Sequence, residues 1–140
     1  MFVLDASVAL LWFVPQTNPT GADDASATLK ALKESQALVP SLFALEVANV
    51  VAKLESKGIV TEADSQRFIV LLGRLNIVTD QATAARALGD TLNLARRHKL
   101  SAYDAAYLEI ALRAGLPLAT LDANLAKAAS TAGVPIFGTH

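Results

Sequence analysis

Four carboxylates stand where a charge is costly: Asp5 in FVLDAS, Glu46 in SLFALEVAN, Asp104 in SAYDAAYLEIA and Asp122 in LATLDANLA. Each follows an apolar run or sits inside one, and a buried charge needs compensation. A divalent cation held by oxygen donors is the simplest compensation, since Mg²⁺ and Mn²⁺ prefer carboxylates and water. Such an ion over an acidic cluster suits hydrolysis of a phosphodiester by activated water. Taken singly, most of these acids have a plainer role. Asp5 and Asp122 could be helix N-caps, and S-A-Y-D from Ser101 to Asp104 reads as a capping-box variant. Glu46 is harder to explain that way. It lies past the first turn of its helix, shares a face with Asn49 and Val50, and has no basic residue at i±3 or i±4. Anions that converge repel one another, so a shared site implies bound cations or shared protons.

The elements that must position these acids alternate along the chain. Met1 to Leu4 reads as a strand ended by Asp5, and Ala6 to Phe13 as a helix stopped by Pro15 and a polar loop from Gln16 to Gly21. An amphipathic helix is predicted from Asp23 to Ser35, then a minimal strand from Ala37 to Val39. Ser41 is placed as the cap of a helix reaching about Lys57 and closed by Gly58. Thr61 opens the next helix, to Arg74, with T-E-A-D as a capping box. Leu75 to Val78 is a strand candidate, followed by helices over Gln81 to His98 and Ser101 to Ala114. After Gly115-Leu-Pro117 come a strand from Leu118 to Leu121, a helix from Ala123 to Thr131 and a last strand from Val134 to Phe137. This alternation predicts a three-layer α/β/α sandwich around a short parallel sheet, as one domain over residues 1–140. Right-handed crossovers bring strand C-termini to one edge, where Asp5 and Asp122 fall.

Composition bounds the rest. The 140 residues include no cysteine, which removes disulfides, thiolate zinc sites and cysteine nucleophiles. Hydrophobic residues make up 53%, and the mean hydropathy of +0.39 exceeds what a small monomer needs; either a further buried surface or an alanine-rich helical chain accounts for it. The first apolar run is too short to span a bilayer, and Asp5 interrupts it with no basic residue before it, so the expectation is a soluble cytoplasmic protein without a signal peptide. Net charge is −1, so setting the four acids aside leaves +3 on the remainder. A nucleic-acid substrate is therefore compatible with the charge, whereas tight metal-free binding is not.

Secondary candidates have two readings each. Ser7, Thr120 and Asn124 lie two residues from a proposed ligand and either orient it or serve local turns. Arg96, Arg97 and Lys99 could meet phosphates or complement a helix C-terminus. His98 and His140 lack a partner at ligand spacing and read as surface. Trp12, Phe13 and Phe43 read as core or interface.

With these residues in place, the chain resembles the PIN-domain proteins, specifically the VapC-type ribonuclease toxins of prokaryotic toxin–antitoxin pairs. The resemblance runs from VLDASV to AGVPI. It rests on D-x-S, an internal helix glutamate with a nearby asparagine, T-x-D and above all the block YDAAYLEIALRAGLPLATLDANLAKAA. It implies an acidic site of Asp5, Glu46, Asp104 and Asp122, supported by Ser7, Asn49, Thr120 and Asn124. It also implies Mg²⁺ or Mn²⁺ dependence, RNA as substrate, homodimers and a cognate antitoxin. Two alternatives stand beside it. One is a PIN-like module that binds RNA or protein without cutting. The other is a haloacid-dehalogenase-like phosphatase, whose chemistry needs a second aspartate where this chain has Ser7.

Overall fold

The computed structural model describes residues 1–138, and His140 lies outside them. Strand β1 (Phe2–Leu4) is central: all three side chains are fully buried, which in a strand of alternating faces means both faces are covered. It pairs in parallel with β2 (Ala37–Val39) on one side and β4 (Leu118–Ala119) on the other, and β2 pairs in parallel with β3 (Ile77–Thr79). The order β3-β2-β1-β4 gives a four-stranded parallel sheet flanked by helices, the predicted α/β/α arrangement.

Helix α1 (Ala6–Phe13) follows β1 at once and packs on α2 (Pro19–Ala31) and α3 (Leu42–Ser56). Trp12 donates its indole N–H to the Ala25 carbonyl at 2.7 Å, and Phe13 stacks on Phe68 of α4 (Glu62–Arg74) at 4.6 Å. After β3 come α5 (Thr83–Arg86), a π-helical turn at 87–91 and α6 (Leu92–His98). Helix α7 (Ala102–Ala114) touches β1, β2 and β4, and its residues 105–111 are all buried. Helix α8 (Ala123–Thr131) packs on α7.

Several boundaries differ from expectation, each for a local reason. Helix α2 begins at Pro19 rather than Asp23, because Asn18 accepts the Gly21 N–H at 3.0 Å and proline suits the first helical position. Gly21 allows that closure: a Cβ there would stand 2.6 Å from Asn18 Nδ2 and 3.0 Å from a Leu121 methyl. Ser41 occupies the cap of α3 but makes no side-chain capping bond, since its own backbone is already helical. The box at Thr61 and Asp64 is complete in both directions. The helix expected over Gln81–His98 is split by the π turn around Gly89, where one extra residue per turn shifts the buried face. Strand β3 sits at 77–79 and β4 is two residues long. The last expected strand reduces to one parallel bridge from Ile136 to Leu118, because Pro135 has no N–H to extend a ladder. Among the described residues, no helix is long and apolar enough to cross a membrane.

Candidate active site

Asp5 leaves the C-terminal end of β1 and its N–H bonds the Ala119 carbonyl of β4 at 2.9 Å, so the central strand pair fixes its backbone. It stands at the N-cap of α1 yet makes no side-chain capping bond. Its Oδ2 instead accepts the Ser7 hydroxyl at 2.6 Å and the Thr120 hydroxyl at 2.8 Å. Ser7 Oγ also receives the Leu121 N–H at 3.0 Å, and Thr120 Oγ1 the Asp122 N–H at 3.1 Å. Two hydroxyls thus join residues more than a hundred positions apart and lock one oxygen of a carboxylate that is only 4% exposed. Ser7, where a phosphatase of the alternative kind needs an acid, is a buttress of Asp5.

Asp122 does cap its helix, accepting the Leu125 N–H at 2.8 Å through Oδ2. Asp104 lies in the first turn of α7, where Ser101 Oγ takes the Asp104 N–H at 3.1 Å, so the serine serves as the cap. Glu46 is half-buried on α3, and its Oε1 accepts the Tyr107 hydroxyl at 2.6 Å. Tyr107 was not singled out from the sequence. Its signal is there in YDAAY: a tyrosine one turn beyond Asp104, whose hydroxyl must find a partner when the ring is buried.

Electrostatics show that the four acids are neighbours. Burial pushes the Asp5 carboxyl above its ordinary range; the Ser7 and Thr120 hydroxyls offset part of this, and the charge of Asp122 adds to it. Burial raises Glu46 too; the Tyr107 bond works against this, and the charges of Asp5 and Asp104 work with it. Asp104 is raised by burial and then by Asp5 and Asp122, with Ser101 opposing. Burial and the bond to Glu46 hold the Tyr107 hydroxyl protonated far beyond neutrality. Elsewhere acids pair with cations: Asp64 with Arg67, Asp90 with Arg86, and Asp80 and Glu109 with Arg113. Among the described residues none of the four acids has a basic partner. Three helix N-termini, those of α1, α7 and α8, converge here and supply partial positive charge.

The donor set consists of hard oxygens alone, which fits a divalent ion such as Mg²⁺ or Mn²⁺. The carboxylates stand apart, as like charges do. Among the described residues, no three histidine, cysteine, aspartate or glutamate side chains already form a metal-holding group. Of the predicted supporting residues, Ser7 and Thr120 reach the cluster. Asn49 and Asn124 are exposed, and their side chains make no hydrogen bond among the described residues. Phe43 is core, Trp12 and Phe13 pack against it, and His98 is half-buried rather than at the surface.

Comparison with known proteins agrees with this layout. Residues 2–130 match the PIN domain family. The chain is 31% identical over 126 residues to ribonuclease VapC3 of Pyrobaculum aerophilum, covering 89% of this chain and 92% of that protein. Its fold matches the crystal structure of PAE2754 from the same organism with a TM-score of 0.66 at 22% identity, over 99% of this chain and 88% of the other. The sheet order, the converging acids and these matches have one meaning: this chain belongs to the PIN domain family and, within it, to the VapC type.

Proposed function

We infer that this chain is a divalent-metal-dependent endoribonuclease, the toxin of a VapBC-type pair, working in the cytoplasm as a single nuclease domain that forms homodimers. The observation that carries the reading is the convergence of Asp5, Glu46, Asp104 and Asp122 with no basic residue to neutralise them among the described residues. Asp5, Glu46 and Asp104 would hold Mg²⁺ or Mn²⁺, with Asp122 completing the set directly or through water. When bound, the ion supplies Lewis acidity at a phosphoryl oxygen and makes water nucleophilic near neutral pH.

The chain's own residues do the positioning. Ser7 and Thr120 leave Asp5 one oxygen free to turn into the site. Tyr107, held neutral, orients Glu46 as a donor without adding charge. The Leu125 N–H fixes Asp122. In-line attack by water on a backbone phosphorus breaks the bond to the 3′ oxygen and leaves a 5′-phosphate and a 3′-hydroxyl. The relative named ribonuclease VapC3 supports RNA as the substrate and an antitoxin as the partner.

The test is cleavage of a panel of structured and unstructured RNAs with Mg²⁺, Mn²⁺ or EDTA, with Asp5→Asn alongside. Metal-dependent cutting that drops by ~100-fold or more in the variant is expected, since even residues behind metal ligands cost 10–100-fold when lost. Undiminished cutting in EDTA would overturn the metal dependence, and full activity in Asp5→Asn the site. RNA binding without cutting under any condition would favour the silent module.

A further inference from the structure

A second feature lies beside the acids and is opposite in charge. His98, Lys99, Asn124, Lys127, Ala128 and Thr131 line a pocket of about 250 Å³ between the end of α6 and the outer face of α8. No acidic side chain lines it, and neither lysine has an ion-pair partner among the described residues. Both of its walls are continuous in sequence with segments that carry site acids. On one side the chain runs from Lys99 to Ser101, which caps α7 and holds the N–H of Asp104. On the other, Asp122 caps α8, and Asn124 and Lys127 follow on its first turns. Lys127 is five residues past Asp122, about 7.5 Å along the helix axis. Asp122 is itself close enough to Asp104 for its charge to raise the Asp104 carboxyl.

Lys99 carries a further mark. It is the only described non-glycine residue with positive φ (55°), closing α6 in the left-handed conformation that glycine fills most readily. Complementing the α6 dipole accounts for Arg96, Arg97 and His98 but not for a lysine kept at a glycine position, nor for Lys127 across the pocket. Strained backbone of this kind is found where a side chain serves a site.

We propose that this pocket grips a backbone phosphate of the RNA strand next to the one being cleaved, with Lys99 and Lys127 as the cationic jaws and Asn124 as a neutral donor. This rests on the nuclease reading. The exposed Asn124, which makes no bond to the acids, acquires a role as part of this grip. The subsite positions the strand so that the scissile phosphate enters the acidic cluster despite the cluster's own negative field.

The test separates binding from cutting. Metal-free Asp104→Asn protein is titrated with a labelled single-stranded RNA of mixed sequence over a salt series, with and without Lys99→Gly and Lys127→Gln added. The pair of substitutions is expected to weaken binding roughly tenfold, as loss of charge-assisted bonds does. The log–log salt slope should become shallower by about 0.7, the increment for one phosphate contact on a single strand. In the active background KM for RNA rises while kcat holds. The thermal midpoint stays level or climbs, because glycine relieves the strained backbone at position 99. Unchanged affinity and slope, or no RNA binding by the parent, overturns the subsite. Failure of the unsubstituted protein to cut with metal strikes the nuclease reading separately, since the titration needs neither metal nor catalysis.

Discussion

Asp104 carries two costs in the folded state: it is partly desolvated, and it faces Asp5 and Asp122. Its folded pKa therefore lies above its ordinary value of 3.8. The folded state then binds the proton more tightly than the unfolded chain, so the contribution to stability is fullest below about pH 4 and is lost as pH climbs through the raised value. Asp5 and Glu46 act in the same sense. In metal-free protein at pH 7, Asp104→Asn should raise the thermal midpoint by about 1–2 °C, a small gain because solvent screens this partly exposed group, while cleavage is lost. Scanning calorimetry at pH 4 and pH 7 checks both parts, since the gain should shrink at pH 4. Mn²⁺ should stabilise the parent, by about 2.7 kcal/mol at a hundred times its dissociation constant, and the variant much less. A variant that is less stable at pH 7 would remove the case for repulsion within the cluster.

Helix α7 is the element on which the site depends. It carries Asp104 at its start, Tyr107 one turn later, and Glu109 and Arg113 toward its end. Arg113 bonds both oxygens of Asp80, at 3.0 and 2.8 Å, and both of Glu109, at 3.0 and 2.8 Å. Asp80 follows β3, so the triad ties the far end of α7 to the edge of the sheet. Glu109 is 3% exposed and Asp80 10%, and neither has another cation among the described residues. Arg113→Ala leaves both without a cation, Asp80 keeping only the Thr83 hydroxyl and the Ala82 N–H, and should cost about 3 kcal/mol, the lower end for breaking a buried pair because Arg113 itself is partly exposed. A lower urea midpoint with an unchanged slope is the expected result. An unchanged midpoint would mean that water already screens the triad. Cleavage per folded molecule should survive, because Arg113 stands away from the acids.

At the scale of the whole molecule, an apolar groove lies between two other helices. Between helices α3 and α4 lies a groove of about 570 Å³ lined by Val39, Phe43, Val47, Val51, Ile69 and Leu72. Ile69 is half exposed, as is Val70 beside it. The two helices thus offer an apolar face of the kind at which an amphipathic partner segment docks. If the proposed toxin–antitoxin pairing holds, Ile69→Asp should weaken binding of the cognate antitoxin by tenfold or more, through a buried unpaired charge, without affecting RNA cleavage by the free protein. Calorimetric titration of the pair measures it. Equal affinity would place the antitoxin elsewhere.

The order of elements and the family were legible in the chain, and the four acids of the proposed site could be picked out there, because apolar runs, prolines and glycines punctuate it locally and VLDASV and YDAAYLEIALRAGLPLATLD are contiguous. Local signals also placed α1, β2 and α8 to the residue, and the Thr61 capping box in full. The early start of α2 was readable from Asn18-Pro19 as well. The rest depends on partners distant in sequence. Only the fold decides that Asp5 is held by Thr120, that Glu46 is held by Tyr107, and that Asp80 and Glu109 share Arg113 while the four site acids share no cation. The π turn and the shrunken final strand are likewise set by packing, which shifts a helix by one residue or limits a ladder to a single bridge. Sequence determines which side chains can do chemistry; tertiary structure decides which of them meet, because only burial beside one another turns separate carboxylates into one mutually repelling site.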